Sequence, residues 1–331
     1  MEVSEIVRFL EEARSDLPID QPLEAGDENR GFYHYTSIRT LFSILESDSL
    51  WAGNARFSND ASEARGDNFI LCFCDRGDQL SQWRGYCPNG GASIKMDVQL
   101  PMKFSVLHSD YNESKKYEEC TNQAVPVRYI EPDRFGETRE QLRRRFGALA
   151  DMMFPFLKSA HFREERESRI LFSNASDFYS RCVRFRTLQD GAMVPYLVIK
   201  AGNVGDERTS CPLETDEAGV RSMLYVLRER RQTVLRIPNG HDQESVYYKI
   251  RPVVNEFNRE LERAGDSHIR IYCEGHLPIQ KITISPMPDN TRTMEEVARF
   301  CRQKYWLQEM LTEDPFGGIT ISNIPYVAAA V

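Results

Sequence analysis

The chain has 331 residues, enough for one large domain or two modest ones, and its 41% hydrophobic and 28% charged residues describe a globular protein rather than a disordered one. A formal net charge of −8 argues against a dedicated nucleic-acid coat and against adhesion to an anionic membrane, leaving Arg143-Arg144-Arg145 and Arg228-Glu229-Arg230-Arg231 as the only basic runs, both expected to be solvated helix faces. No stretch approaches the roughly 20 apolar residues that cross a bilayer, the opening Met1-Glu2-Val3-Ser4-Glu5 is not a secretory signal, and eight scattered cysteines give no disulfide framework, so a reducing cytoplasm is expected.

In chain order, residues 4–17 predict an amphipathic helix with Ile6, Phe9, Leu10 and Ala13 on one face, followed by a polar loop to residue 30. Gly31-Phe32-Tyr33-His34-Tyr35 predicts a short aromatic strand, with Thr36 or Ser37 capping a helix that carries Ile38, Leu41, Phe42 and Leu45 at core spacing. Leu50-Trp51-Ala52 resumes as strand. Asn59-Asp60-Ala61-Ser62-Glu63 has the spacing of a capping box, with Gly66 as its stop. Residues 68–74 are apolar on both faces, which predicts a central strand. Asp78 is expected to cap a short helix through Trp83, and 92–98 alternates as a half-buried strand.

Further strands are expected at 124–130, 167–172, 194–201, 269–273 and 281–285, and further helices at 137–153, 215–230, 244–264 and 293–311. There is no internal repeat and no Pro/Gly/Ser linker. The chain therefore divides into a helix and loop over 1–30, one elaborated α+β domain over 31–326, and a tail over 327–331.

Three elements can carry chemistry. His34, between aromatic residues and a capping hydroxyl, has an imidazole suited to a sugar hydroxyl, although a structural histidine bridging strand to helix would read the same way. Phe73, Trp83 and Tyr86 can stack on a flat cationic ring, or can simply be core. His161-Phe162-Arg163-Glu164-Glu165-Arg166-Glu167-Ser168-Arg169 runs three glutamates into an apolar strand, with Glu165, Glu167 and Arg169 expected on one face and Glu164 on the other. The plain alternative is an ion-pair ladder on an edge strand. Cys72-Phe73-Cys74 lacks a partner pair, so no structural zinc is expected.

The first element resembles the opening motif of the ADP-ribosyltransferase superfamily, in which a strand ends in His-x-Thr or His-x-Ser and leads into an amphipathic helix. The resemblance implies that His34 holds the adenosine-side ribose of NAD with Thr36 lining the pocket. It implies likewise that Tyr35, Phe73, Trp83 and Tyr86 frame its rings, and that a glutamate opposes the oxocarbenium charge formed when the N-glycosidic bond breaks. Together, His34-Tyr35-Thr36, Asn59-Asp60 with Glu63, Gln82-Trp83-Arg84-Gly85-Tyr86, Phe162-x-x-Glu165-x-Glu167-x-Arg169 and Ser322-Asn323-Ile324-Pro325-Tyr326 resemble the bacterial family catalogued as domain of unknown function 2971. Ser168 and Val327 stand where that family usually has an aromatic residue and an arginine.

The resulting expectation is a split, mostly antiparallel sheet of the ADP-ribosyltransferase type with helical insertions. NAD is the expected substrate, with transfer to a protein or nucleic-acid acceptor or plain hydrolysis, as in a bacterial toxin or phage-defence effector. Glu167, closest to the rigid apolar run Ile170-Leu171-Phe172, is the expected catalytic carboxylate, with Glu165 next. One alternative is a magnesium-dependent nuclease using Asp60, Glu63, Glu165 and Glu167. It would need a catalytic lysine, and none is expected beside either motif. Another is a catalytically silent binding or sensor module.

Overall fold

The computed structural model describes residues 3–20, 31–58, 68–97, 104–107, 117–120, 124–172, 182–187, 191–201, 216–240, 242–311 and 318–325. The Asp60–Glu63 capping box with Gly66, the terminal Tyr326 and the tail lie outside these residues.

Helix α1 (Val3–Arg14) lays Ile6, Leu10 and Ala13 onto an apolar cluster with Phe154, Phe156 and Leu157, the face its spacing predicts. Strand β1 runs Phe32–Ser37, two residues further than the aromatic run alone indicates, so His34 sits inside the strand rather than at its end. Ser37 then caps α2 (Ile38–Ser47), its hydroxyl accepting from the Thr40 amide at 3.2 Å. Helix α2 buries Leu41, Ile44 and Leu45 and stops at Asp48, whose left-handed backbone (φ 49°) turns the chain into β2 (Leu50–Asn54). Strand β3 (Phe69–Cys74) precedes α3 (Leu80–Tyr86) and β4 (Gly91–Met96).

Asp78 does not cap α3. Its carboxylate instead accepts from the Trp83 indole at 2.8 Å, the Ser322 hydroxyl at 2.6 Å and the Asn323 amide at 3.0 Å, tying the chain's end to the helix. Strand β4 is buried on both faces except at Lys95, not half-buried: Ala92, Ile94 and Met96 join the main apolar cluster and Ser93, on the opposite face, is buried as well.

Strands β5 (Phe104–Leu107), β6 (Tyr117–Cys120) and β7 (Val125–Pro126) follow. The strand expected over 124–130 breaks at Val127, whose amide goes to the Glu167 carbonyl, and β8 (Arg128–Ile130) leaves for a separate parallel pair with β9 (Leu157–Ser159). The long helix expected between them is two, α4 (Phe135–Phe146) and α5 (Ala150–Met153), divided at Gly147. Strand β10 (Glu167–Phe172) is buried along its whole length between β3 and β7, so it is not an edge.

After β11 (Arg184–Thr187) and β12 (Met193–Ala201) comes a unit of α6 (Glu217–Glu229), β13 (Val234–Ile237), α7 (Gln243–Ala264) and β14 (Arg270–Cys273) around its own apolar cluster, with β13 and β14 parallel. The chain closes with β15 (Ile279–Ile284), α8 (Asn290–Cys301), a 3₁₀ turn over Tyr305–Leu311 in place of a longer helix, and β16 (Ile319–Ile321).

The fold is α+β, with an open, mostly antiparallel sheet in the order β16-β15-β4-β1-β3-β2-β12-β5-β6, β10 joining β3, β7 joining β10 and β11 joining β12; only β15 and β16 are parallel there. One junction is weak. β1 pairs with β4 over six residues and β10 with β3 over six, but β1 meets β3 at a single pair, Tyr33 with Cys74. The other end of the same β3 edge goes to β2 through Ile70 and Phe69. Between those pairings this edge of β3, at residues 71–73, has no strand beside it among the described residues, while the opposite edge stays paired with β10, and the sheet parts there. No helix among the described residues is long and apolar enough to cross a membrane.

Candidate functional site in the parting of the sheet

Where β1 and β3 separate, they leave a cleft of about 410 Å³ lined by residues from both, including His34, Cys72 and Phe73, and by Gln82, Tyr86, Glu165 and Glu167. A backbone carbonyl without a ladder partner needs another donor. The Cys72 carbonyl finds it in His34, whose Nδ1 lies 3.1 Å away. A carbonyl only accepts, so Nδ1 carries the proton. Burial lowers the pKa of His34, with the Cys72 bond acting in the opposite sense, so the ring is a neutral imidazole. Its Nε2 is then an acceptor, with no protein partner shown among the described residues. The ring is held edge-on to Phe73 at 6.1 Å.

Opposite stand two glutamates in different environments. The 3₁₀ turn Ala160–Glu165 ends at Arg166, whose left-handed backbone (φ 46°) swings the chain into β10. That turn is latched to the end of β3, since the Arg166 guanidinium takes both Asp75 oxygens at 2.7 and 2.8 Å and the Asp75 amide donates to the Arg166 carbonyl at 3.2 Å. Glu167 follows as the first residue of β10.

The Glu167 carboxylate is buried and fully engaged. Arg169, two residues on and on the same strand face, donates from Nε to one oxygen at 2.8 Å and from a terminal nitrogen to the other at 2.7 Å, and Lys158 Nζ lies 3.1 Å from the second oxygen. Burial alone would raise its pKa. The Arg169 and Lys158 charges outweigh it, and with hydrogen bonds from Arg169 and the Cys72 thiol they hold the carboxyl down at about 2.

Glu165 shares Lys158, at 2.7 Å, and has the Tyr86 hydroxyl at 3.5 Å. Its side chain keeps 13% of its surface exposed against 6% for Glu167. For Glu165 burial wins over the Lys158 charge and the pKa goes up, with Glu167 adding to the rise. Two carboxylates on one lysine are thus pushed in opposite directions, the arrangement that separates a fixed anion from a proton-accepting group.

The sequence missed Lys158. It lies between the glutamates and a buried wall, donating to both and standing 4.8 Å above the Phe162 ring, although no lysine was expected beside this motif. The signal was there in Phe154-Pro155-Phe156-Leu157-Lys158, a lone charge at the end of an apolar run, which can be buried only with counter-ions. Tyr129 was missed as well, and its hydroxyl accepts from the Glu167 amide at 3.0 Å.

Six of the eight singled-out residues, His34, Tyr35, Phe73, Tyr86, Glu165 and Glu167, line this cleft. Thr36 and Trp83 do not. Thr36 is buried with its carbonyl taking the Cys87 thiol at 3.3 Å, and Trp83 is core, packed edge-on against Tyr35 at 4.7 Å. Tyr35 lines the cleft with its hydroxyl already committed, donating to the Arg76 carbonyl at 2.9 Å and accepting from the Gln79 amide at 3.1 Å. Glu164 turns away, offering only its backbone carbonyl to Gln79. Cys72 and Cys74 are free thiols with raised pKa values, chiefly from burial.

No protein-family model, curated protein or solved structure matches this chain.

Proposed function

We propose that the cleft binds NAD and breaks its N-glycosidic bond, passing ADP-ribose to a macromolecular acceptor or to water. The observation that carries this reading is the parting between β1 and β3, which brings a neutral histidine with an open acceptor nitrogen and a divided pair of carboxylates into one cleft from strands far apart in sequence. The opening is also what supports a split sheet of the ADP-ribosyltransferase type.

In this reading the Nε2 of His34 accepts from a ribose hydroxyl, and Phe73, Tyr35 and Tyr86 supply ring surfaces to the bases. As the bond between ribose and nicotinamide breaks, its electron pair leaves with nicotinamide and positive charge develops on the ribose. Glu165 meets that charge and takes the proton of the incoming nucleophile. Glu167, neutralised by Arg169 and Lys158, holds Lys158 and so fixes Glu165. The roles are the reverse of those the strand register favours in the sequence, because a carboxylate bound to two cations opposes a third poorly.

A nuclease reading gains Lys158 but starts from an acidic pair that already binds cationic side chains. The test is incubation of purified protein with labelled NAD and a cell lysate, then separation into protein, nucleic-acid and small-molecule fractions. Label leaving NAD for any of these, and no longer doing so in Glu165→Gln, supports the reading. Intact NAD in every fraction contradicts it.

A further inference from the structure

Beside the cleft the molecule carries a charge arrangement that its own stability does not favour. Lys95 and Lys281 face each other directly across β4 and β15. Like charges in that position destabilise a sheet. The pairing belongs to the register that also sets Ile282 opposite Ile94 and Thr283 opposite Ser93, and the ladder shifts just past it, between Lys281 and Ile279. Bulges of this kind re-aim side chains and recur beside functional sites.

Arg270, the first residue of β14, adds a third cation; after burial, Lys281 and then Arg270 are what lower the pKa of Lys95, with Asp97 opposing them. Asp97 pairs with Arg270 at 2.7 Å. Three cations less one carboxylate leave two positive charges in excess, in a chain whose net charge is −8. The row also leads into the cleft. Lys95 Nζ lies 5.7 Å from the ring centroid of Tyr33, itself a lining residue. That ring is seated where no side chain could stand at its neighbours, since a Cβ at Gly77 would come within 2.3 Å of it and one at Gly31 within 2.9 Å.

Four arginines of the basic runs visible in the sequence are ion-paired elsewhere. Arg143 pairs with Asp151, Arg144 with Glu140, Arg145 with Glu12 and Asp16, and Arg228 with Asp266.

The geometry points to a phosphate track: Lys95, Lys281 and Arg270 take the backbone of a single-stranded nucleic acid whose end reaches the cleft past Tyr33, and that strand is the acceptor of ADP-ribose. The proposal rests on the reading of the cleft given above. A small diphosphate occupies one point, whereas cations from two neighbouring strands and an adjoining one suit a polymer with repeating charge, and an aromatic ring beside a basic groove is how single strands are held. The transfer balances. The bond from ribose C1′ to the acceptor's nitrogen or oxygen forms, the bond to nicotinamide breaks with its electron pair leaving on nicotinamide, and the acceptor's proton passes to Glu165.

The test uses the full chain and fluorescein-labelled 20-nucleotide single strands of mixed-sequence DNA and RNA, read by anisotropy between 50 and 200 mM salt. Three phosphate contacts give a log–log salt slope of about −2, so affinity falls about twentyfold over that range. The double variant Lys95→Gln/Lys281→Gln drops the slope to about −0.7, Lys281→Arg keeps it, and the double variant's thermal midpoint stays at or above wild type because a like-charge pair is gone. No binding by wild type at 50 mM salt, or a double variant with the wild-type slope, overturns the proposal. So does ADP-ribose label entering the protein fraction equally in both. A raised KM for NAD with oligonucleotide binding intact would overturn it in favour of NAD's own diphosphate. Salt-dependent binding without release of nicotinamide would overturn transfer at the cleft and leave the track as a binding site alone.

Discussion

At the scale of the residue, Lys158 decides how the glutamates behave. It is 1% exposed and bridges two carboxylates, one of which also holds the buried Arg169, whose remaining nitrogen donates to the Pro155 carbonyl at 2.7 Å. Removing one member of such a network leaves a charge buried without its partner. Lys158→Met is expected to cost about 3–5 kcal/mol in urea unfolding, while Glu165→Gln, at the more open end, costs less. The pH dependence follows from Glu167. Its folded pKa of about 2 lies below the ordinary 4.5, so its contribution to stability is fully present above about 4.5 and is lost as pH falls toward 2. Glu167→Gln should flatten that acid limb of a stability-against-pH curve, and an unchanged limb would show that the ion network contributes nothing there. Glu165 acts in the opposite sense, since its raised pKa makes the folded state bind the proton more readily. The pairing of Glu167 with Arg169 was legible from the two-residue repeat of a strand. The shared lysine was not, because β9 reaches it through space and only its apolar surroundings in the chain announced it.

At the scale of the element, the sequence gives most strands and helices, and misses where they stop. Core-facing periodicity found α1, α2, α6 and α7 within a few residues, because each buries one face. The break between β7 and β8 was hidden, since it arises when the Val127 amide turns to the Glu167 carbonyl, a partner 40 residues away. The opening between β1 and β3 was hidden for the same reason. His34 could be named as a binding candidate, but that its ring stands in for a missing strand contact at Cys72 is a property of two elements together. The seat of Tyr33 belongs here too. Gly77→Ala would set a Cβ against that ring at 2.3 Å and should lower stability by about 1–3 kcal/mol, measured by thermal unfolding, while displacing Tyr33 from the cleft wall. A fully tolerated alanine would mean that the ring moves without cost.

At the scale of the whole molecule, the sheet is assembled from strands that the sequence does not order. β15 pairs with β4 and β16 with β15 to complete the side of the sheet that carries His34, although these strands come from the last fifth of the chain. The unit of α6, α7, β13 and β14 is joined to this side by a chain of side chains: Asp48, at the end of α2, binds His276 Nδ1 at 2.7 Å and the Leu277 amide at 2.9 Å. His276 Nε2 meets the Tyr305 hydroxyl at 2.9 Å, and that hydroxyl donates to Gln243 at 2.8 Å. The role of His276 is to join these elements. Asp48→Ala should lower the thermal midpoint by several degrees, the shift that about 1–3 kcal/mol produces in a chain of this size. The measurement that bears most directly on the cleft is release of nicotinamide from NAD by the purified protein, because transfer and hydrolysis share that product. Wild type is expected to release it, Glu165→Gln to lose the activity while its thermal midpoint falls far less than that of Lys158→Met, and His34→Ala to need more NAD for the same rate. Absence of release from wild type, with and without lysate, or release undiminished in both Glu165→Gln and Glu167→Gln, would contradict the account.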